Sequence, residues 1–322
     1  MRWQDWPEPA AAPGQAVVAV RAVGICGSDI HGYSGESGRR ALNMIMGHEA
    51  TGEILAVGPG ISPDIVGDPV VIQPFINCGT CDYCTAGKIN LCRKRQFLGG
   101  NVDGAMAEYL AVPVENLVPL PKGLSFEHGT LVEPLAVAIH AVSQAGDITG
   151  KSLLIVGCGP IGLLTLVAAK KAGAQYIAVT DLLTSRLETA LRLGADVALP
   201  PASEAWNENL EVDVAFDAVG IAATFNQAIQ AVRPGGTVVA LGGWQTVPMN
   251  LAPFVARELT LRATFNFTPA EFELARRRLE DRAFDPSVIV TNTYPLSEGA
   301  GAFQDLSTRQ TDAVKVVLNN TT

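Results

Sequence analysis

The sequence predicts an α/β protein with two domains, one built on a doubly wound parallel sheet and the other mostly β. Three observations support this. The chain has 322 residues, more than a single hydrophobic core usually supports. Up to about Val118, short β-type runs are broken by Gly, Pro and Asn. After Pro121, apolar strands alternate with helices, the pattern of a parallel sheet covered on both faces.

The composition describes a compact globular protein and excludes several classes of partner. Hydrophobic residues make up 48% and charged residues 17% of the chain, with 32 Gly and 20 Pro. The net charge of −9 is spread without long single-sign runs, so nucleic acid and anionic lipid are not expected partners. The first residues lack a signal-peptide pattern, and the apolar stretch 161–169 is too short to span a membrane. We therefore expect a cytoplasmic protein.

The first domain is predicted over 1–146 and contains short strands, for example at 16–20 and 68–72. Within it, Cys78, Cys81, Cys84 and Cys92 form a lobe at about 77–93. Four thiolates at this spacing can close a tetrahedral zinc site with no open position, which indicates a structural metal. A zinc ribbon would instead show two separated CxxC pairs, and four free thiols in an exposed loop would oxidise.

The second domain is predicted over 147–265, and residues 266–322 return to the first. Its predicted strands are 152–156, 175–180, 213–219 and 237–241, and its predicted helices are 160–172, 184–193 and one ending at Val232. A turn is expected at Pro234-Gly235-Gly236 before the last of these strands. The tail is expected to hold a helix at 271–281 and a last strand at 314–318.

A dinucleotide site is indicated by Gly157-Cys158-Gly159-Pro160-Ile161-Gly162, which follows an apolar strand and opens a helix. The first glycine permits the tight turn, the second lets the backbone approach a pyrophosphate, and the third lets helix and strand pack closely. The helix N-terminus also offers N–H groups to phosphates. By itself the motif could still be a structural turn, with Cys158 as a small spacer in either case. In this context it predicts a Rossmann-type domain.

The acid that completes this pattern is Asp181, which ends the second predicted strand. Its carboxylate can accept both hydroxyls of an adenine ribose and would repel a 2′-phosphate, which favours NAD over NADP. Arg186 could lie over the adenine or pair with Glu188. The candidate cofactor-binding residues are Gly157, Gly159, Pro160, Ile161, Gly162, Asp181 and Arg186, with Val219 and Leu241 at the ends of the next two strands.

Four further candidate metal ligands are scattered along the chain: Cys26, His48, Glu49 and Glu133. Their spacing in the sequence does not show that they share one metal site, and a lone histidine is more often a core residue than a ligand. They do, however, lie in a series of motifs. These are Cys26-Gly27-Ser28-Asp29-Ile30-His31, Gly47-His48-Glu49, the four-cysteine lobe, Asp103-Gly104-Ala105-Met106-Ala107-Glu108-Tyr109, Glu133-Pro134-Leu135 and the glycine motif.

In this order, over nearly the whole chain, the motifs resemble the zinc-containing medium-chain dehydrogenases. Glu133-Pro134-Leu135 is similar to the polyol branch, which includes sorbitol, galactitol-phosphate, butanediol and threonine dehydrogenases. The resemblance implies a GroES-like catalytic domain. It also implies two Zn²⁺ per chain, NAD, a small alcohol or polyol substrate, and a homodimer or homotetramer formed by edge-to-edge pairing of the cofactor sheets.

The implied reaction is reversible oxidation of a secondary alcohol to a ketone, with zinc acting as a Lewis acid. Cys26, His48 and Glu49 would be catalytic zinc ligands, with Glu133 either a ligand or an anchor for the metal-bound water; we expect the two glutamates to alternate. Ser28 would take the alcohol proton and pass it through the nicotinamide ribose to His31. Asp29 is interpreted as a buried structural acid. His140 is interpreted as a core residue, and no role is assigned to His128.

Two departures from the family and two rival functions bear on this expectation. Relatives usually carry another strand before 15, and the polyol branch often has Arg-Tyr where this chain has Asn266-Phe267. A zinc-free enone or quinone reductase would need neither the four-cysteine lobe nor Gly47-His48-Glu49. A non-enzymatic zinc- and NAD-binding relative would be favoured by loss of Cys26, His48 or Ser28, all of which are present.

Overall fold

A computed structural model describes residues 1–35, 43–201, 210–243, 246–308 and 311–320. The chain divides into two compact units. Unit 1 comprises Met1–Glu133 and Thr268–Thr322, and unit 2 is Pro134–Phe267, inserted in the sequence of unit 1. The predicted cofactor domain, 147–265, lies within unit 2, which begins earlier because it takes in most of the apolar helix that contains Glu133.

In chain order the strands of the described residues are β1 (Gln15–Gly24), β2 (Glu49–Val57), β3 (Pro69–Ile72), β4 (Phe75–Ile76), β5 (Gln96–Phe97), β6 (Tyr109–Pro113), β7 (Leu117–Pro119), β8 (Ser152–Val156), β9 (Tyr176–Thr180), β10 (Val197–Leu199), β11 (Val212–Asp217), β12 (Val232–Ala240), β13 (Thr260–Ala263), β14 (Val290–Pro295) and β15 (Lys315–Asn319). The α-helices are α1 (Gly27–Tyr33), α2 (Asp82–Thr85), α3 (Phe126–Gly129), α4 (Val132–Gln144), α5 (Pro160–Lys171), α6 (Thr184–Arg192), α7 (Ala222–Ala231), α8 (Ala252–Ala256), α9 (Pro269–Glu280) and α10 (Gly299–Ser307).

Unit 1 is built on a mixed sheet in which β1 is the central strand. The strand order is β14-β15-β1-β2-β3-β7, and β6 also pairs with β1. Alternate side chains of β1, such as Val18 and Val20, point into an apolar core with Ile54, Ile72 and Phe303. This strand order places the last residue of β1, Gly24, beside the first residue of β2, Glu49, and beside Val317 of β15. Of the strands described, β15 is the last in the sequence. This places residues from both ends of the sequence at one point of the sheet.

Unit 2 is built on a six-stranded parallel sheet, counted over the described part of the chain. Its order is β10-β9-β8-β11-β12-β13. By sequence this is third, second, first, fourth, fifth and sixth, the order of a Rossmann domain, in which ligands bind where the order reverses. The reversal lies between β8 and β11. The predicted doubly wound α/β architecture is therefore confirmed.

The predicted turn at Pro234-Gly235-Gly236 is wrong as a boundary, because these residues lie inside β12. Val212 of β11 pairs with Val232, but Val214 pairs with Thr237, so the β12 backbone makes a detour between the two paired positions. Gly235 has φ +75°, which a residue with a side chain rarely adopts. The turn signal therefore marks an irregularity within a strand instead of its start.

Helix α10 was not predicted, because its sequence begins Gly-Ala-Gly and these glycines have low helix propensity. Tertiary packing offsets this, since Phe303 on α10 is fully buried in the core of unit 1. Before β1, the described residues contain no strand. Within the described ranges, no helix has the length and apolar character needed to cross a membrane.

Candidate active site

Three candidate metal ligands converge at one end of the unit 1 sheet. The ligand atoms of Cys26, His48 and Glu49 all lie within 4.8 Å of one another. Cys26 follows β1 and precedes α1, while His48 and Glu49 lie at the start of β2. The antiparallel register of β1 and β2 pairs Gly24 with Glu49, which brings the end of one strand to the start of the other. Strand pairing therefore brings together three residues that their spacing in the sequence did not connect.

The chemistry of these three residues fits a zinc ion. One thiol, one imidazole and one carboxylate are ligand types that zinc takes in open, catalytic sites. Burial raises the pKa of the Cys26 thiol to about 11, and the negative charge of Glu49 adds to the increase. A divalent cation would reverse both effects, because it stabilises the thiolate and compensates the carboxylate.

Glu133 lies close to this cluster without completing it. Its carboxyl group is 5% exposed and lies at the start of α4. Burial raises its pKa to about 8, and the negative charges of Glu49 and Cys26 contribute to the increase. The cluster of ligand atoms within 4.8 Å contains Glu49 and not Glu133. In this geometry Glu49 is the nearer candidate for third ligand, and the expected alternation of the two glutamates stays a prediction.

Asp29 contacts two of the candidate ligands. Its side chain is fully buried, and Oδ2 accepts a hydrogen bond of 2.9 Å from the backbone N–H of Cys26. Oδ1 lies 3.6 Å from Nδ1 of His48. A carboxylate beside a metal-binding imidazole orients the ring and increases its basicity. Asp29 is therefore buried, as expected of a structural acid, but it supports the ligands as well as the fold.

Lys315 is the residue that the sequence analysis missed. It lies on β15, is 2% exposed, and forms an ion pair with Oε2 of Glu49. Its Nζ also donates a hydrogen bond of 3.0 Å to the backbone oxygen of Ile25. Desolvation acts to lower its pKa, but Glu49 and Cys26 outweigh this, and the pKa is raised from 10.5. A signal was present: Lys315 interrupts the otherwise apolar run from Val314 to Leu318.

The predicted proton-relay residues lie on α1 beside the cluster. Ser28 hydrogen-bonds the Cys26 thiol, which lowers the pKa of that thiol against the effect of burial. His31 follows three residues later, on the same face of the helix, and is exposed to solvent. One residue near the cluster and one at the surface are what a proton path needs, although their roles remain predictions.

The four cysteines of the lobe form a second cluster in unit 1. Their sulfur atoms lie within 4.8 Å of one another, with Sγ–Sγ distances of 3.5 Å for Cys81–Cys84 and 3.6 Å for Cys92–Cys78. None of them forms a disulfide. Backbone N–H groups of Thr80 and Cys81 lower the pKa of Cys78 to about 6. Four convergent thiols, one of them with a pKa below neutral pH, fit a structural zinc.

In unit 2 the glycine motif lies at the point where the strand order reverses. Gly157 has φ +94°, and a Cβ on it would overlap the side chain of Val219, which follows β11. A Cβ on Gly162 would overlap the backbone oxygen of Gly157, so both positions require glycine. A Cβ on Gly159 would meet nothing within 4 Å, which leaves open space at the N-terminus of α5. This geometry suits a pyrophosphate.

Asp181 follows β9 and is held against this turn. Oδ2 accepts a hydrogen bond of 2.7 Å from the N–H of Cys158, and Oδ1 accepts one of 2.9 Å from Leu183. Nη1 of Arg186 lies 4.0 Å from Oδ2 of Asp181, so the arginine forms an ion pair with the aspartate. Cys158 is 1% exposed, consistent with a spacer.

The remaining residues singled out from the sequence are Leu241, Val219, His140 and His128. Leu241 follows β12, and its N–H donates a hydrogen bond of 2.9 Å to the backbone oxygen of Asp217 at the end of β11. Leu241 and Val219 thus lie at the carboxyl ends of neighbouring strands. His140 is buried in α4, as expected for a core residue. His128 lies on α3, and no function is assigned to it.

Comparison with known proteins identifies the family. The alcohol dehydrogenase GroES-like domain matches residues 12–122, and the zinc-binding dehydrogenase domain matches residues 160–281. The chain is 34% identical to the sorbitol dehydrogenase of Bacillus subtilis strain 168, over 97% of this chain and 92% of that protein. The chain therefore belongs to the zinc-containing medium-chain alcohol dehydrogenase family, in its polyol dehydrogenase branch.

Two solved structures resemble the fold closely. A zinc-binding dehydrogenase of Sinorhizobium meliloti 1021 bound to NADP has a TM-score of 0.89 at 29% identity, covering 97% of this chain and 93% of that chain. An alcohol dehydrogenase of Escherichia coli CFT073 complexed with NADH has a TM-score of 0.88 at 27% identity, with the same coverages of 97% and 93%. Similar folds are thus solved with both nicotinamide cofactors.

Proposed function

We propose that this protein oxidises a secondary hydroxyl group of a polyol-like small molecule to a ketone, with NAD as the hydride acceptor. The observation that carries the proposal is the convergence of Cys26, His48 and Glu49 within 4.8 Å at one end of the unit 1 sheet. Kinship with sorbitol dehydrogenase supports the polyol class of substrate. L-Threonine and 2,3-butanediol are the alternative substrates from the same branch.

Zinc bound by Cys26, His48 and Glu49 would supply a Lewis acid that lowers the pKa of the substrate hydroxyl. Asp29 fixes the backbone of Cys26 and lies beside His48, so the ligands are held before the metal arrives. Ser28 takes the proton of the substrate hydroxyl as it gives up its own proton, which continues through the nicotinamide ribose toward His31. His31 is exposed on the same helix and passes a proton to water.

The test combines metal analysis with a substrate screen. Purified protein is assayed with NAD against polyols, sugar phosphates, 2,3-butanediol and L-threonine, with NADH absorbance as the readout. We expect two zinc ions per chain and NADH formation with at least one secondary alcohol. One zinc ion without turnover would instead support a non-enzymatic relative, and a protein without zinc that reduces enones or quinones would contradict the proposal.

We propose that the four-cysteine lobe holds a second, structural zinc. Cys81→Ser should therefore lower stability and zinc content much more than it changes the chemistry of turnover. Losing several kcal/mol of metal-linked stability lowers the melting temperature by on the order of 10 °C. Calorimetry and zinc analysis measure both effects. Cys158→Ser is the matched control, because Cys158 is a buried cysteine outside the lobe and should leave the zinc content unchanged. A Cys81→Ser variant that keeps its stability and loses only kcat would overturn this assignment.

We propose a homodimer or homotetramer formed through the edge of the unit 2 sheet. β13 lies at that edge, and all four of its residues are exposed. Shortly before β13 in the sequence, the apolar side chains of Leu251 and Val255 are 61% and 79% exposed, and a partner subunit at this edge would cover them. Light scattering should give the mass of a dimer or tetramer, and Val255→Asp should shift it toward smaller species. Leu55→Asp, on the exposed face of β2, is the control; a monomeric wild type would refute the proposal.

We also propose a cytoplasmic location. All six cysteines are free thiols, and four of them form the candidate zinc cluster, the use of cysteine that is typical of a reducing compartment. Nothing in the charge distribution indicates a nucleic-acid or membrane partner.

A further inference from the structure

Lys315 is a buried cation in a strand that is otherwise apolar. It is the one charged residue of β15 and is 2% exposed. An ammonium group removed from water is costly unless charged and polar groups compensate it. Here the compensation comes from Glu49 through an ion pair and from the backbone oxygen of Ile25 through a hydrogen bond. Both partners are neighbours of Cys26 or His48 in the sequence, so the cation belongs to the candidate zinc site.

The surrounding sheet is built to allow this ion pair. Gly24 of β1 pairs with Glu49 of β2 on one side and with Val317 of β15 on the other, so β1 lies between the two partners. A Cβ at Gly24 would overlap Oε2 of Glu49 and approach Cε of Lys315 to 2.9 Å. The absence of a side chain at this position lets the two charged groups meet across the strand. Three strands thus contribute to the contact.

We propose that Lys315 is a positioning residue of the zinc site, which holds Oε2 of Glu49 so that this glutamate offers a single oxygen to the metal. Its charge also offsets part of the negative charge around the metal. Fully ionised, Cys26, Asp29, Glu49 and Glu133 carry four negative charges, and Zn²⁺ with Lys315 carries three positive ones. The inference rests on the proposed zinc site and adds to it the group that controls how Glu49 binds.

If Lys315 positions Glu49, its loss should slow the release of zinc, whereas loss of a residue that only supports packing should speed it. Without the ammonium group, Glu49 is free to bind the metal more fully, and the site becomes one charge more negative. Lys315→Met should therefore slow the release of zinc by at least about tenfold, even though the metal-free protein becomes less stable. A residue that only supported packing would produce faster release, since a loosened site holds its ligands less well.

The experiment measures zinc release from the full-length protein to the chromogenic chelator 4-(2-pyridylazo)resorcinol. Wild type, Lys315→Met and Lys315→Arg are compared, and Cys26→Ser identifies the phase that belongs to the catalytic site. We expect slow release for Lys315→Met and near wild-type release for Lys315→Arg, which keeps the charge. A second comparison in a Glu49→Gln background should shrink the difference between lysine and methionine, because no carboxylate remains to be held and only the charge of the lysine still acts on the metal. The double variant Glu49→Gln/Lys315→Met carries neither charge of the ion pair, so it leaves no unpaired buried charge should the Lys315→Met single variant fold poorly.

The outcomes separate this inference from the proposed function. If Cys26→Ser loses no zinc phase, the zinc site itself is wrong. If the phase is present but Lys315→Met releases zinc as fast as wild type or faster, Lys315 does not position Glu49. An equal effect of Lys315→Met with Glu49 and with Gln at that position would show that the lysine acts by another route, and would also overturn the inference.

Discussion

His48→Ala should reduce turnover below about 1% of wild type while the fold and NAD binding remain nearly unchanged. The imidazole is one of three donors within 4.8 Å, and its ring packs on Phe97 with the centroids 4.7 Å apart. Its loss removes a ligand from a site whose Lewis acidity is worth several kcal/mol, and each 1.4 kcal/mol changes the rate about tenfold. Steady-state kinetics measures the loss of turnover, zinc analysis measures the loss of metal, and NAD titration by fluorescence measures the retained cofactor binding.

The controls separate loss of the metal from loss of any histidine. His128→Ala changes a histidine outside the cluster and should keep both zinc and activity. His31→Ala should keep the zinc and lose activity in part, since water can replace an exposed proton carrier. Turnover of His48→Ala above about 1% would contradict the metal-assisted mechanism, because ligand loss would then have cost less than about 3 kcal/mol.

Asp181→Ser should reverse part of the preference between the two nicotinamide cofactors. With Asp181 in place, NADP must bring a phosphate dianion beside a carboxylate that is 9% exposed, and such repulsion costs several kcal/mol. The wild-type preference in kcat/KM should favour NAD by on the order of a hundredfold or more. The serine removes the charge, and it also weakens the hydrogen bond to the Cys158 N–H, so NAD use falls while NADP use rises.

Two further variants divide this effect into its parts. Asp181→Asn keeps one oxygen acceptor and removes the charge, so it should raise NADP use with a smaller loss of NAD use. Adding Leu182→Arg to Asp181→Ser should raise NADP use again, because Leu182 is 80% exposed beside the site and an arginine there can reach the added phosphate. A wild type that uses both cofactors equally, or a serine variant with an unchanged ratio, would show that Asp181 does not face the ribose.

The Rossmann domain could be predicted closely because its signals are local. The predicted strand over 152–156 and the start of the next helix at Pro160 agree with β8 and α5, since an apolar run, a glycine turn and a helix cap lie side by side in the sequence. Gly194 follows α6 with φ +96°, as expected for a helix-ending glycine. The four-cysteine cluster is equally local, because its members lie within fifteen residues of the sequence.

The candidate metal cluster of Cys26, His48 and Glu49 could be predicted only through family resemblance. Which strands pair is decided by packing over the whole sheet, and no local signal places Cys26 beside Glu49. Lys315 is the extreme case, since its hydrogen-bond partner Ile25 is 290 positions away in the sequence. A charged residue in an apolar strand indicates a buried ion pair, but the sequence alone does not identify which residue is its partner.

The split of unit 1 in the sequence has a consequence for synthesis of the chain on the ribosome. Unit 2 is continuous, so the whole of it emerges before β15 does, and domains tend to fold as they emerge. Until β15 is released, the end of β1 lacks its neighbour at Gly24 and Glu49 lacks its ammonium partner. Nascent chains therefore pass through a stage in which unit 2 is complete and unit 1 is not. A chain that terminates before Lys315 loses a strand and the counter-charge of its candidate metal site in the same event.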